Sequence, residues 1–173
     1  MATVTRMSMP EFLARYDDTN VELIDGVVRE RSEDVTKYDH NDWLMAIAMW
    51  FRQHAREWHI GVAVTQNVLI DERNRLVPDV VIFDPRNPRE QSFTHPPIAV
   101  FEVTSESDQP QDITDKLAKY ECWGVPEIWQ VYPESGEFRR WQHGSLTAQE
   151  RFTHGTMDFA VGEIAALLLD WGE

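Results

Sequence analysis

The chain contains a single cysteine, Cys122, in 173 residues. One cysteine makes no internal disulfide and no multi-cysteine zinc site. No secretory leader is legible either, so the expected location is cytoplasmic. No apolar run approaches the ~18 residues that a membrane-spanning helix needs, and no membrane partner is expected. Basic residues are scarce as well. Sixteen Lys and Arg face thirty Asp and Glu, for a net charge of −14. A broad basic face that grips nucleic acid tightly and non-specifically is therefore not expected. A metal-dependent enzyme is not excluded, because Mg²⁺ prefers hard carboxylate oxygens. Internal repeats, low-complexity tracts and linkers are absent too. With 42% hydrophobic residues, the chain reads as one globular domain spanning 1–173.

The pattern of residues then gives elements. Ser8-Met9-Pro10-Glu11 is a helix start with a capping box, and the helix ends near Tyr16. Asp25-Gly26 between Val21–Ile24 and Val27–Glu30 signals a hairpin. Apolar residues from Asp39 to Trp58 recur every three or four positions, which predicts a long amphipathic helix stopped by Gly61. Val62–Val64 and Val68–Ile70 read as one long strand, followed by a polar turn over 71–75. Val77–Phe83 and Ile98–Thr104 are almost continuously apolar, as strands buried on both faces are. A second helix spans about 112–123 and is closed by Gly124 and Pro126. Glu127–Tyr132 is a further core strand. Phe138–Gln142 and Thr147–Phe152 form a closing antiparallel pair, and Gly162–Leu169 a terminal helix. The fold class is α/β, with a mixed central sheet, flanking helices and antiparallel C-terminal strands.

Two acids sit where apolar residues are expected. Asp79 opens one core strand and Glu102 interrupts another. A buried carboxylate costs several kcal/mol unless paired or metal-bound, and two on neighbouring strands repel. A divalent cation, Mg²⁺ or Mn²⁺, removes both problems. Lys116 lies on the following helix, one turn after Asp112 and one turn before Tyr120. Directed at the same place, its ammonium would orient or activate water and offset phosphate charge. Metal, water and lysine together suggest phosphodiester hydrolysis.

Each residue also has an ordinary reading. Asp79 caps a strand at a sheet edge, and Lys116 forms a surface i,i+4 pair with Asp112 worth ~0.3–0.5 kcal/mol. Glu22 beside its hairpin faces solvent, His40 caps a helix, and Tyr120 belongs to the core. Cys122 at a helix end is inert, and Trp123 and Trp129 pack around the second helix. Seven tryptophans and four tyrosines are many for one core, which suggests a homodimer.

The ordered set Glu22-Leu23-Ile24-Asp25-Gly26, His40, Pro78-Asp79-Val80-Val81, Glu102-Val103-Thr104-Ser105, Asp112-x3-Lys116-x3-Tyr120 and Gly124-Val125-Pro126-Glu127-Ile128-Trp129 resembles the Uma-type restriction endonuclease family. That family is a branch of the PD-(D/E)XK nuclease superfamily. The resemblance covers residues 8–142. It implies a restriction-endonuclease-like core in which Asp79 and Glu102 hold Mg²⁺, with the Val103 carbonyl as a third ligand. It implies that Glu22 assists at metal or water, and that His40 and Tyr120 are accessory. The superfamily's usual lysine position, two residues after the second acid, is Thr104 here, and Lys116 takes its place from the helix. Family members often carry Ser-Pro-Ser and several arginines after the glutamate. This chain instead runs from Glu102 to Asp115 with five acids and no base.

The expected function is metal-dependent hydrolysis of phosphodiester bonds in DNA, by Asp79, Glu102, Lys116 and Glu22. Two alternatives remain at this stage. One is a catalytically inactive acidic binding or assembly module on the same fold. The other is a metal-dependent hydrolase of a small phosphate ester, which needs no wide basic groove.

Overall fold

Asp25 and Gly26 both adopt positive φ, 52° and 78°, the backbone of a type I′ turn. They join β1 (Val21–Ile24) to β2 (Val27–Glu30) in register, with Glu22 opposite Arg29. The computed structural model describes residues 6–16, 21–31, 38–88, 90–105 and 108–169.

Ahead of this hairpin, α1 (Met9–Tyr16) starts as its capping box requires. The Ser8 N–H and hydroxyl both donate to Glu11 Oε2, at 2.9 and 2.7 Å. Phe12 of α1 is fully buried against Val21 and Leu23. The Arg75 guanidinium lies 5.3 Å from the Phe12 ring centre, a buried cation–π contact.

The helical period from residue 39 becomes α2 (Tyr38–Trp58), which buries Trp43, Leu44, Ile47 and Phe51. After it come β3 (Gly61–Val64), β4 (Val68–Asp71), β5 (Asn74–Leu76), β6 (Val80–Phe83) and β7 (Ala99–Val103). Pro110 begins α3 (Pro110–Trp123). The helix ends in a Schellman turn at Gly124, φ 99°, whose N–H donates to the Glu121 carbonyl while Val125 donates to that of Tyr120. The chain closes with β8 (Glu127–Tyr132), β9 (Glu137–Gln142), β10 (Ser145–Ala148), β11 (Arg151–His154), β12 (Met157–Ala160) and α4 (Gly162–Leu169).

The main sheet has six strands in the order β10-β9-β8-β7-β6-β3. Its single parallel pair is β7–β8, joined by α3 as a parallel crossover demands. One face carries α2, α4 and the β11–β12 hairpin over an aromatic core that includes Phe51, Phe101, Trp129 and Phe152. The other face carries α3 and a small antiparallel sheet, β2-β1-β5-β4, over Ile24, Leu76, Val100, Leu117 and Tyr120. Every residue of β7 is buried, as its apolar run predicts.

The structure corrects several expectations. The single long strand over 62–70 is two strands in different sheets. Thr65 turns to φ 46° and donates its N–H to the Asp79 carbonyl at 3.0 Å, which ends β3 and sends the chain across. Within the expected polar turn, Asn74–Leu76 is a buried strand, and only Glu72 and Arg73 form the turn. Residues 77–79 lead into β6 rather than belonging to it. Gly61 opens β3, where a Cβ would lie 2.3 Å from the Phe83 ring. The closing pair is β9 with β10, whereas Arg151 and Phe152 belong to a separate hairpin. Trp129 packs on the α2 face of the sheet, away from α3, because it alternates with Ile128 and Gln130 along β8. Among the described tryptophans none is exposed. Among the described residues the large apolar side chains left at the surface are Met45, Met49 and Val64, so aromatic surplus no longer argues for a dimer.

Candidate active site

The register of β6 against β7 pairs Val80 with Phe101 and Val81 with Val100. Extended by one residue, it sets Asp79 opposite Glu102. Asp79 Oδ2 accepts the Val103 N–H at 2.8 Å. Glu102 shares its face with Val100, toward α3, because side chains alternate along a strand. Both carboxylates are buried, Glu102 on β7 and Asp79 at the entry to the neighbouring β6.

Two other elements bring their residues to this point. Glu22 on β1 is buried and accepts the Val77 N–H at 2.7 Å. Lys116, on the inward side of α3 with Leu117 and Tyr120 near it, places Nζ 3.0 Å from Glu22 Oε1 and 3.0 Å from Glu102. The Tyr120 hydroxyl donates to Glu102 Oε1 at 2.6 Å. The surface pairing of Lys116 with Asp112 does not form. Asp112 pairs instead with Arg29 of β2, and the same guanidinium lies 3.6 Å from Asp115.

Two further side chains address Asp79. His40, near the start of α2, has Nε2 3.4 Å from Oδ2. Arg31, just past β2, donates from Nη2 to Oδ1 at 2.8 Å. Sequence reasoning did not single out Arg31. Other arginines do not join it there: Arg52, Arg56 and Arg73 are exposed, and Arg75 is buried beneath α1. Gln130 was also missed. It is the β8 partner of Glu102, buried, and donates to Thr104 Oγ1 at 2.9 Å. Its signal was the same as that of Glu102, a polar residue within an apolar strand.

Electrostatics follow from this packing. Burial pushes the Glu102 carboxyl up to about 7. Asp79 and Glu22 add to the rise, while the Lys116 ammonium and the Tyr120 hydroxyl only partly offset it. Burial would push Asp79 up as well, but the His40 hydrogen bond and the His40, Arg31 and Lys116 charges hold it below its ordinary value. Burial would lower Lys116, yet Glu102, Glu22 and Asp79 together raise it. His40 is raised, chiefly by its hydrogen bond to Asp79.

Three carboxylates with hard oxygen donors are the chemistry a Mg²⁺ or Mn²⁺ ion takes, and by donor type these residues fit one. Their present arrangement is looser. Among the described residues no three His, Cys, Asp or Glu side chains are gathered closely enough to hold a metal ion. Lys116 stands between Glu22 and Glu102, and Arg31 holds Asp79.

A family model named Uma2, described as "Putative restriction endonuclease", matches residues 9–162. A solved structure described as a putative nuclease belonging to DUF820, from Anabaena variabilis, superposes with a TM-score of 0.79 at 14% identity. The match covers 94% of this chain and 99% of that one, and at that identity it is a likeness of fold. The DrdV–DNA complex, determined by cryo-electron microscopy, aligns at a TM-score of 0.38 and 17% identity over 73% of this chain and 11% of that one, which carries no argument. None of the curated proteins matches the chain. No helix among the described residues is long and apolar enough to cross a membrane.

Proposed function

The chain belongs to the Uma2 family, and from that premise we propose that it hydrolyses phosphodiester bonds in DNA with Mg²⁺ or Mn²⁺ held by Asp79 and Glu102. The observation that carries this reading is the convergence of Glu22, Asp79, Glu102 and Lys116, from β1, the entry to β6, β7 and α3, on one buried cluster. The Val103 carbonyl would complete the protein donors. When bound, the cation supplies Lewis-acid stabilisation of the phosphate and a water of lowered pKa.

The chain's own residues have separable tasks. Lys116 keeps its proton at neutral pH, because its value is raised. It therefore acts as a donor that orients water or screens phosphate charge, and not as the base that takes a proton. Glu22 and the Val77 N–H fix where that ammonium sits. His40 orients Asp79, and Tyr120 orients Glu102.

The test is incubation of supercoiled plasmid and single-stranded oligonucleotides with Mg²⁺ or Mn²⁺. Cleavage by the wild type that disappears with chelator and in Asp79→Asn supports the reading. No cleavage of either substrate with either ion overturns it.

One observation favours a second reading, a catalytically silent binding or assembly module. The three carboxylates are already matched within the fold by Arg31 and Lys116, so the cluster has a structural use without metal. That reading expects no metal-dependent cleavage and a self-associated or partner-bound species by light scattering.

A further inference from the structure

Both oxygens of Asp79 are engaged by the chain itself. Oδ2 takes the Val103 N–H, with His40 at 3.4 Å, and Oδ1 takes the Arg31 guanidinium. The Arg31 pair is nearly enclosed, with side chains 17% and 4% exposed. Asp112 and Asp115 occupy Arg29, two residues earlier, outside the cluster. Arg31 is thus the guanidinium that stands where a divalent cation would need a carboxylate.

The charges suggest why. With Glu22, Asp79 and Glu102 all ionised and His40 neutral, Arg31 and Lys116 leave one negative charge. A divalent cation turns that into one positive charge, which a single phosphodiester neutralises. From Glu102 to Asp115 the chain offers five acids and no base, so that segment brings no positive side chain to a phosphate. A guanidinium freed from Asp79 can meet one, because its planar donor fork matches phosphate oxygens as well as carboxylate oxygens.

We propose that Arg31 is a phosphate-binding residue held in reserve: it pairs with Asp79 until that carboxylate passes to a divalent cation, and is then released to a nucleic-acid phosphate beside it. This rests on the cation site proposed above and names how that site is kept closed.

Two readouts test it without turnover. The first is Mn²⁺ affinity by electron paramagnetic resonance, for wild type, Arg31→Gln, Arg29→Gln and Asp79→Asn. Loss of the competing guanidinium should tighten Mn²⁺ binding about tenfold in Arg31→Gln, the scale of one charge-assisted hydrogen bond. Arg29→Gln removes the same charge without touching the site and should stay within about threefold of wild type, because a charge already paired at the surface is largely screened. The second is anisotropy of a short labelled DNA duplex in Ca²⁺. Here Arg31→Gln should bind about tenfold more weakly, again one charge-assisted contact. Opposite signs in the two assays are the expected result, and a merely structural role for Arg31 would weaken both.

Unchanged or weaker Mn²⁺ binding in Arg31→Gln, with binding still lost in Asp79→Asn, overturns the inference and leaves the cation site standing. Tighter Mn²⁺ binding with unchanged DNA binding overturns the hand-over to phosphate. No Mn²⁺ binding in either wild type or Arg31→Gln overturns the cation site itself, and this inference with it.

Discussion

The Tyr120 hydroxyl donates to Glu102 at 2.6 Å, with both groups buried. That bond favours the ionised carboxylate, yet burial and the neighbouring Asp79 and Glu22 prevail, and Glu102 titrates at about 7. A carboxyl raised above its ordinary value of 4.5 keeps a proton in the folded chain that the unfolded chain has lost. Stability therefore falls as pH rises from 4.5 to about 7. His40, raised from 6.5, adds a slope of the same sign above that value. Asp79 is lowered, so its contribution is present above 3.8 and fades only in stronger acid. Urea denaturation at pH 5, 6, 7 and 8 should show the decline, and Glu102→Gln should flatten the part below 7. A wild type whose stability climbs across this range contradicts the assignment.

The same titration sets activity in the opposite direction. In the proposed site Glu102 would serve as a cation donor only when ionised. At Mn²⁺ concentrations well below saturation, single-turnover cleavage should rise with pH up to about 7 and level off above it, because the cation must first displace the proton from Glu102. Lys116 remains protonated throughout and adds no alkaline limb near pH 8. A rate that stays flat between pH 5 and pH 7 at subsaturating Mn²⁺ would exclude deprotonation of Glu102 as the limiting step.

Lys116 is a structural cation as well as a candidate catalytic one. Replaced by methionine, it leaves Glu22 and Glu102 buried together without the ammonium between them. Breaking a buried pair from one side costs ~3–5 kcal/mol. The loss should be greatest at pH 8 and smaller at pH 5, where Glu102 takes up a proton. Adding Glu102→Gln to Lys116→Met should recover part of it, which a double-mutant cycle in urea measures.

The sequence made some of this legible and not the rest, for physical reasons. Asp79 and Glu102 stood out because a charge inside an apolar strand is conspicuous, and the β6–β7 register does bring them together. Lys116 was placed by its helical spacing, since three and four residues set a shared face. The type I′ turn and the Schellman stop are local chemistry, and both formed where Asp25-Gly26 and Gly124 predict. Arg31 carried no local sign, because its partner lies 48 residues away and is fixed by tertiary packing. The break at Thr65 failed for a similar reason. Apolar residues on both sides suit a strand, and only the presence of two sheets splits them.

Glu127 belongs to the Gly124–Trp129 string but not to the proposed site. It lies on the Trp129 face of β8, whereas Glu102 and its partner Gln130 lie on the other. It is buried and accepts from Arg140 at 2.9 Å and from the Trp129 indole N–H at 3.1 Å, with His154 of β11 at 3.4 Å. The carboxylate thus ties the β11–β12 hairpin to the main sheet. Glu127→Gln keeps the shape and removes the charge, leaving Arg140 without its ionic partner in a partly buried setting. A loss of ~1–3 kcal/mol is expected, the range for a compromised buried polar contact. Hydrogen exchange should speed up over residues 151–160 while β7 stays protected. Mn²⁺ affinity should not change, because the six-stranded sheet separates the two clusters. Lost Mn²⁺ binding with an undisturbed hairpin would instead make Glu127 part of the cation site.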